Sequence, residues 1–267
     1  MIKKIVFSIF LVLVIFQLLL TSFRYISQKK NIENLLAQNL DGRMVPHEVN
    51  SLTKLNSILK SGIRSFELDL FFQTKDNNMS YFEIGHDKED LGGTTFETYL
   101  KKIKPYKIKK IWMDVKNVSD KNIDLILDHL NYLDGRYHIK PIIIFESSIQ
   151  SEKLKKISNA GFHTSCYLFN NPVDQMLSTN NNKLLKEEAN RIKIQIEKQH
   201  FRAVSFNSSL YPFIKTYLEP IIPKDIVYHT WKSVEFKDRN AIKDIKEKKY
   251  FHDKRIRTIL YYYYKKE

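Results

Sequence analysis

The sequence is poor in the residues that punctuate or cross-link a chain. Cys166 is the one cysteine among 267 residues, so an intramolecular disulfide framework and a cysteine-rich zinc module are both excluded. Seven glycines and seven prolines exclude collagen-like and Pro/Gly-rich disordered designs. No glycine-rich phosphate loop follows the first expected strand, which argues against a dinucleotide-binding sheet. No basic stripe with interleaved aromatics and no recognisable nucleic-acid module is present, so no nucleic acid partner is expected.

What the chain does have is apolar residues and positive charge. At 43% hydrophobic it can bury the core of one domain of about 200–250 residues. Lys and Arg number 44 against 30 Asp and Glu, a formal net charge of +14. Such a balance suits nucleic acid, anionic lipid or a phosphorylated substrate and does not choose among them.

The N-terminus reads as a membrane segment. Lys3 and Lys4 precede an apolar stretch from Ile5 to Leu20, broken by Ser8 and Gln17. Extended to Phe23 it makes a helix of about 28 Å, close to a hydrocarbon core. No small-residue cleavage site follows it, and there is no lipobox cysteine. Residues 1–23 are therefore expected to be an uncleaved signal anchor, with a cleaved signal peptide as the competing reading. Either way the remainder is expected outside the cytoplasm, membrane-anchored or secreted. Residues 24–43 are a polar linker and 44–267 the folded domain.

In that domain short strand-like segments alternate with helical ones. Strands are expected at 44–49, 65–72, 110–116, 140–145, 162–169, 203–206, 226–231 and 257–264. Helical periods occupy 52–60, 95–103, 119–133, 151–160, 184–199 and 211–218. Ser119 is the expected N-cap of the third, and the Asn-rich run 179–182 reads as a loop insertion. Repeated β-α units imply parallel strands with crossovers. Eight of them predict a (β/α)8 TIM barrel, with an open doubly wound sheet as runner-up.

Charged residues sit at the C-terminal ends of these strands, where a barrel places its active site. His47 is near the end of the first strand. Glu67 and Asp69, two apart, share one face of the second. His86-Asp87 follows in the next loop. Asp114 and Lys116 share a face of the third, and Trp231 ends the seventh. Buried carboxylates must be paired or bind a cation. Glu67, Asp69 and Asp114 offer a hard oxygen site suited to Mg²⁺ or Ca²⁺ rather than zinc. Two histidines beside it are a candidate acid–base pair, and Lys116 a candidate phosphate ligand. An edge salt bridge is the bland alternative for each pair. The other histidines read as structural or surface residues.

The ordered motifs PHEVNS (46–51), FELDL (66–70), GHD (85–87), WMDVKN (112–117) and HTW (229–231) resemble the glycerophosphodiester phosphodiesterase superfamily. Those are TIM barrels with a divalent metal. The likeness spans about residues 44–264, with its specific motifs concentrated in 46–117. It implies His47 and His86 as catalytic histidines and Glu67, Asp69 and Asp114 as metal ligands. It also implies Lys116 as a phosphate-binding lysine and Trp231 as a residue lining the site. Two departures bear on substrate. His47-Glu48-Val49 replaces His-Arg-Gly, which removes an arginine. Asp114 stands where glutamate is usual and is more similar to the sphingomyelinase D branch. The HEVNS segment is similar to the menorin-type first motif. There Asn50 lies either near the metal or substrate, or in an Asn-Ser N-cap.

The resemblance implies a metal-dependent phosphodiester hydrolase acting on a phospholipid or lipid-derived headgroup diester. The alternative is a non-catalytic, membrane-anchored barrel serving binding or envelope assembly. The basic stretch 232–267, with twelve Lys/Arg against six Asp/Glu, suits an anionic surface or a solvated face equally.

Overall fold

A computed structural model of the chain describes residues 10–23, 26, 42–74, 79–148, 151–231 and 249–262. Nearly all of the expected linker 24–43 and much of the basic stretch 232–267 lie outside the described residues. Residues 10–23 form a helix, α1, with Phe10, Leu13 and Phe16 exposed. Residues 1–9 of the expected membrane segment also lie outside the described residues. Among the described residues no helix is long and apolar enough to cross a membrane. The spanning segment expected over 1–23 reaches into residues outside the described ones.

The domain alternates strands and helices. They run β1 (Met44–His47), α2 (Leu52–Lys60), β2 (Ser65–Thr74), β3 (Ser80–Ile84), α3 (Phe96–Ile103), β4 (Lys110–Val115) and α4 (Ile123–Tyr137). Then come β5 (Ile143–Ser147), α5 (Lys155–Asn159), β6 (His163–Tyr167), α6 (Asn170–Ser178) and α7 (Asn182–Gln199). The chain continues through β7 (Ala203–Asn207), a mixed helical segment over 208–221, β8 (Val227–Trp231) and β9 (Ile256–Tyr262).

The sheet order is β1-β9-β8-β7-β6-β5-β4-β2-β3. Eight strands pair in parallel, and β3 adds antiparallel to the edge of β2. The first strand pairs with the last. At the remaining seam the Val49 N–H donates to the Glu67 carbonyl oxygen at 2.9 Å. The sheet therefore curls into an eight-stranded (β/α)8 barrel, not the open doubly wound sheet.

Strand alternation explains how this barrel is filled. Along β2, Phe66, Leu68 and Leu70 turn outward into the main core beneath the helices, while Ser65, Glu67 and Asp69 turn inward. The apolar core inside the barrel is small, built on Val45, Trp112, Ile144 and Leu260. Much of the rest of the lumen is polar, including Glu146, Ser165, Ser205, His229 and Thr258, all buried.

Four details depart from expectation. β3 and α6 were not anticipated. The 179–182 run is a tight turn, with Asn181 accepting from the Leu184 N–H to cap α7. Ser119 does not cap α4. It opens a turn whose Asn122 side chain accepts from the Ser119 N–H at 2.8 Å, and the helix starts one residue later.

Candidate active site

Three acids share one rung of the barrel. Asp69 of β2 is in register with Asp114 of β4, and Asp114 with Glu146 of β5. Register partners on parallel strands point to the same face, here the lumen. Glu67 lies one inward position below Asp69. The carboxylate oxygens of Glu67, Asp69 and Asp114 come within 4.8 Å of one another. Glu67 and Asp69 are each 1% exposed.

The neighbours of these acids come from loop positions that follow the strands. Lys116 places its Nζ 2.7 Å from Asp69 Oδ1 and 2.6 Å from Asp114 Oδ2. Asn50 clamps Asp69 twice: its Nδ2 donates to Asp69 Oδ2 at 2.6 Å, and its Oδ1 accepts from the Asp69 N–H at 3.0 Å. Ser51, not Asn50, caps α2, accepting from the Lys54 N–H at 3.1 Å. The Glu48 N–H donates to Glu67 Oε2 at 2.6 Å. Glu48 reaches that position with φ of 54°, a left-handed conformation costly for a residue with a Cβ. The Lys54 ammonium steadies the turn, donating to the carbonyl oxygens of His47 and Glu48 at 2.9 Å each.

His47 stands beside the acids. Its Nε2 is 3.6 Å from Glu67 Oε2, and its ring meets Tyr262 edge-on at 5.0 Å. Burial pulls its pKa down to about 4, with Asp69 acting in the opposite sense. His86 is placed differently. It follows β3, and the neighbouring Gly85 N–H donates to the Asp69 carbonyl oxygen at 3.2 Å, tying this loop to the barrel mouth. Its ring is exposed and bonds Asp87 Oδ2 at 3.0 Å. That bond raises its pKa, burial opposing; Asp69 raises it further and Lys116 lowers it. The two histidines make no direct contact, though each lies within electrostatic reach of the other's surroundings.

The charge on the acids is poorly compensated. Burial raises the Glu67 carboxyl well above its ordinary range, Asp69 adds to this, and the Glu48 N–H opposes it. Burial likewise raises Asp114, against the pull of Lys116. Burial alone would lower Lys116, but Asp114 and Asp69 outweigh it and hold its pKa above the ordinary value. Asp114 Oδ1 is buried without a hydrogen-bond partner. Clustered hard oxygens, repulsion among them and an orphaned oxygen all fit a divalent cation such as Mg²⁺ or Ca²⁺. His86, Asp87 and Asp90 form a second, exposed group, in which Asp87 serves His86 and Asp90 Oδ2 accepts from the Asp87 N–H at 3.1 Å.

Trp231 lies at the end of β8. It stacks on Tyr167 at 5.3 Å and meets Trp112 edge-on at 6.3 Å. Phe169, 47% exposed, extends this wall outward against Tyr167.

Sequence reasoning missed Glu146, Lys54 and Asn117. Asn117 locks the end of β2 to β4 through paired amide bonds to the Phe72 backbone at 2.8 Å. Glu146 carried a usable signal, an acid at the C-terminal end of the apolar run Ile142–Phe145.

No protein-family model matches the chain, and no curated protein does. Solved structures do. A glycerophosphodiester phosphodiesterase from Parabacteroides distasonis superposes with a TM-score of 0.52 at 12% identity, over 83% of this chain and 92% of that one. A glycerophosphodiester phosphodiesterase from Agrobacterium tumefaciens gives 0.50 at 11% identity, over 82% and 96%. The chain thus has the barrel fold of these glycerophosphodiester phosphodiesterases, with its buried acids gathered at the C-terminal mouth.

Proposed function

We propose that the chain is a metal-dependent phosphodiester hydrolase acting on a phospholipid or lipid-derived headgroup diester. The observation that carries this reading is the buried Glu67, Asp69 and Asp114 cluster with Lys116 bridging two of its members. Those three carboxylates would hold Mg²⁺ or Ca²⁺, which supplies Lewis-acid polarisation of a phosphoryl oxygen.

The chain's own residues divide the remaining work. Lys116 neutralises phosphate charge. His47, neutral down to about pH 4, takes the proton of the attacking hydroxyl or water as its oxygen bonds to phosphorus. His86, whose pKa Asp87 raises, gives a proton to the leaving alcohol as the P–O bond breaks. Asn50 and the Glu48 N–H orient Asp69 and Glu67. Trp231 and Tyr167 offer an apolar wall to the alcohol.

We place this barrel, residues 44–267, behind an N-terminal anchor (1–23) and a linker (24–43), outside the cytoplasm. The apolar run from Ile5 to Leu20, with no small-residue cleavage site after it, and the excess of basic residues support that arrangement. The test is a panel of glycerophosphodiesters and choline phospholipids offered to the full chain with Mg²⁺, with Ca²⁺ and with chelator. Metal-dependent release of an alcohol or headgroup is expected. Silence across the panel from protein that binds no metal would overturn the reading in favour of a non-catalytic barrel.

A further inference from the structure

Glu146 takes no part in the acid–base steps or in the first cation site. It is 2% exposed in the barrel lumen, and its Oε2 is buried without a hydrogen-bond partner. The Ser205 hydroxyl and the Trp112 indole approach the same carboxylate, yet burial and the nearby Asp114 disfavour its charge. Its register partner across β4–β5 is Asp114, and Asp114 also keeps one orphaned oxygen, Oδ1, because Lys116 occupies only Oδ2. The first cation accounts for the Asp114 oxygen but not for Glu146 Oε2, and a buried, unpaired carboxylate oxygen facing the lumen is costly unless something satisfies it.

The first cation site does not reach Glu146. The mutually close ligand set is Glu67, Asp69 and Asp114, and Glu146 falls outside it. Sites built on one or two carboxylates, completed by water and substrate phosphate, are characteristic of Mg²⁺.

We infer that Asp114 and Glu146 hold a second hard divalent cation, so that Asp114 is shared between two metal sites. This inference rests on the metal-dependent reading above. The test is calorimetric titration of metal-stripped full-length chain in detergent with Mn²⁺, alongside Glu146→Gln, which keeps the shape of the side chain. Repeating the titration in Asp90→Asn keeps the exposed His86, Asp87 and Asp90 group out of the count. Two Mn²⁺ per chain in wild type and in Asp90→Asn, and one in Glu146→Gln, are expected. Electron paramagnetic resonance of the wild type should show a spin-coupled manganese pair, absent in Glu146→Gln. One Mn²⁺ in wild type, or two in Glu146→Gln, overturns the second site and leaves the first standing. Binding of no Mn²⁺ at all overturns the metal-dependent reading with it. Should Glu146→Gln fail to fold, the wild-type stoichiometry and spectrum decide alone.

Discussion

Asn50 shows how a single side chain sets the geometry of the mouth. A carboxylate as buried as Asp69 would be free to rotate between partners, but the Asn50 amide bonds both its Oδ2 and its backbone N–H. The sequence left Asn50 between a capping role and a site role, because Asn and Ser are equally good N-caps and stand side by side. Packing decided it: Ser51 took the helix and Asn50 the acid. Glu67, Asp69, Asp114 and Lys116 were legible because a charge inside an apolar strand needs a reason. Glu146 satisfies the same rule and was passed over, since it stands outside the recognised motifs. At this scale the acid–base assignment is testable through Asp87. Its bond to His86 raises the histidine's pKa, so a protonated His86 persists to higher pH. Asp87→Asn should move the alkaline limb of the kcat/KM profile to lower pH with the acid limb unmoved. An unchanged alkaline limb would remove His86 as the proton donor.

Between residue and barrel, the β1–α2 turn is the element on which the site depends. It carries His47, Glu48 and Asn50 in four residues, and it folds with Glu48 in a left-handed conformation. Lys54, one turn into α2, donates to the two carbonyls that this conformation exposes. Lys54→Met keeps the alkyl stem but leaves those carbonyls without their charged donor. It should cost about 1–3 kcal/mol of stability, read as a lower urea midpoint at unchanged m-value, and should weaken metal binding through the Glu48 N–H on Glu67. A variant as stable as wild type would show that the turn holds itself.

The eight parallel strands were legible as elements because each is a short apolar or alternating run. β3 was not: it follows the polar stretch Lys75–Asn78 and reads as the continuation of a loop. α6 was also invisible, because Val173 is its one buried residue and no helical apolar period results. The start of α4 misled for a different reason. Ser119 is a good cap by type, but the Asn122 amide competes for the same turn and wins by bonding both the Ser119 N–H and the Asn117 carbonyl oxygen.

At the scale of the whole molecule, the barrel is unusual in how little apolar material its lumen holds. Its floor includes a pair of neutral histidines, His163 and His229, with Nε2 atoms 3.1 Å apart. Burial lowers His163 to about 4, and Arg202 and Lys110 add to the effect. Burial, then His163 itself, lowers His229 well below its ordinary value. Both groups bind a proton more readily in the unfolded chain. Their contribution to stability is therefore complete above about pH 6.5 and is lost as pH falls from there towards 4. His163→Gln removes one titrating partner and keeps a polar atom at its end. Wild type should lose more thermal stability than His163→Gln between pH 7.5 and pH 5, whatever the other groups contribute to both. Equal losses would show that the pair does not titrate on unfolding.

The barrel as a whole was readable from the count and order of its units; its closure, which decides against the open sheet, shows in the pairing of the first strand with the last. The polar lumen was not, because lumen residues sit one by one between outward-facing apolar neighbours and carry no pattern of their own.

The central claim is that the acids at the mouth bind a metal that phosphodiester cleavage requires. The direct measurement is turnover of a phosphodiester by the chelator-stripped full chain as Mg²⁺ or Ca²⁺ is added back, beside Glu67→Gln under the same conditions. Glu67 is buried and fixed by the Glu48 N–H, and its replacement leaves Lys116 and both histidines in place. Restoration in wild type, with a loss of at least about a hundredfold in Glu67→Gln, is the predicted result. Turnover that survives chelation, or that Glu67→Gln retains, would contradict the account.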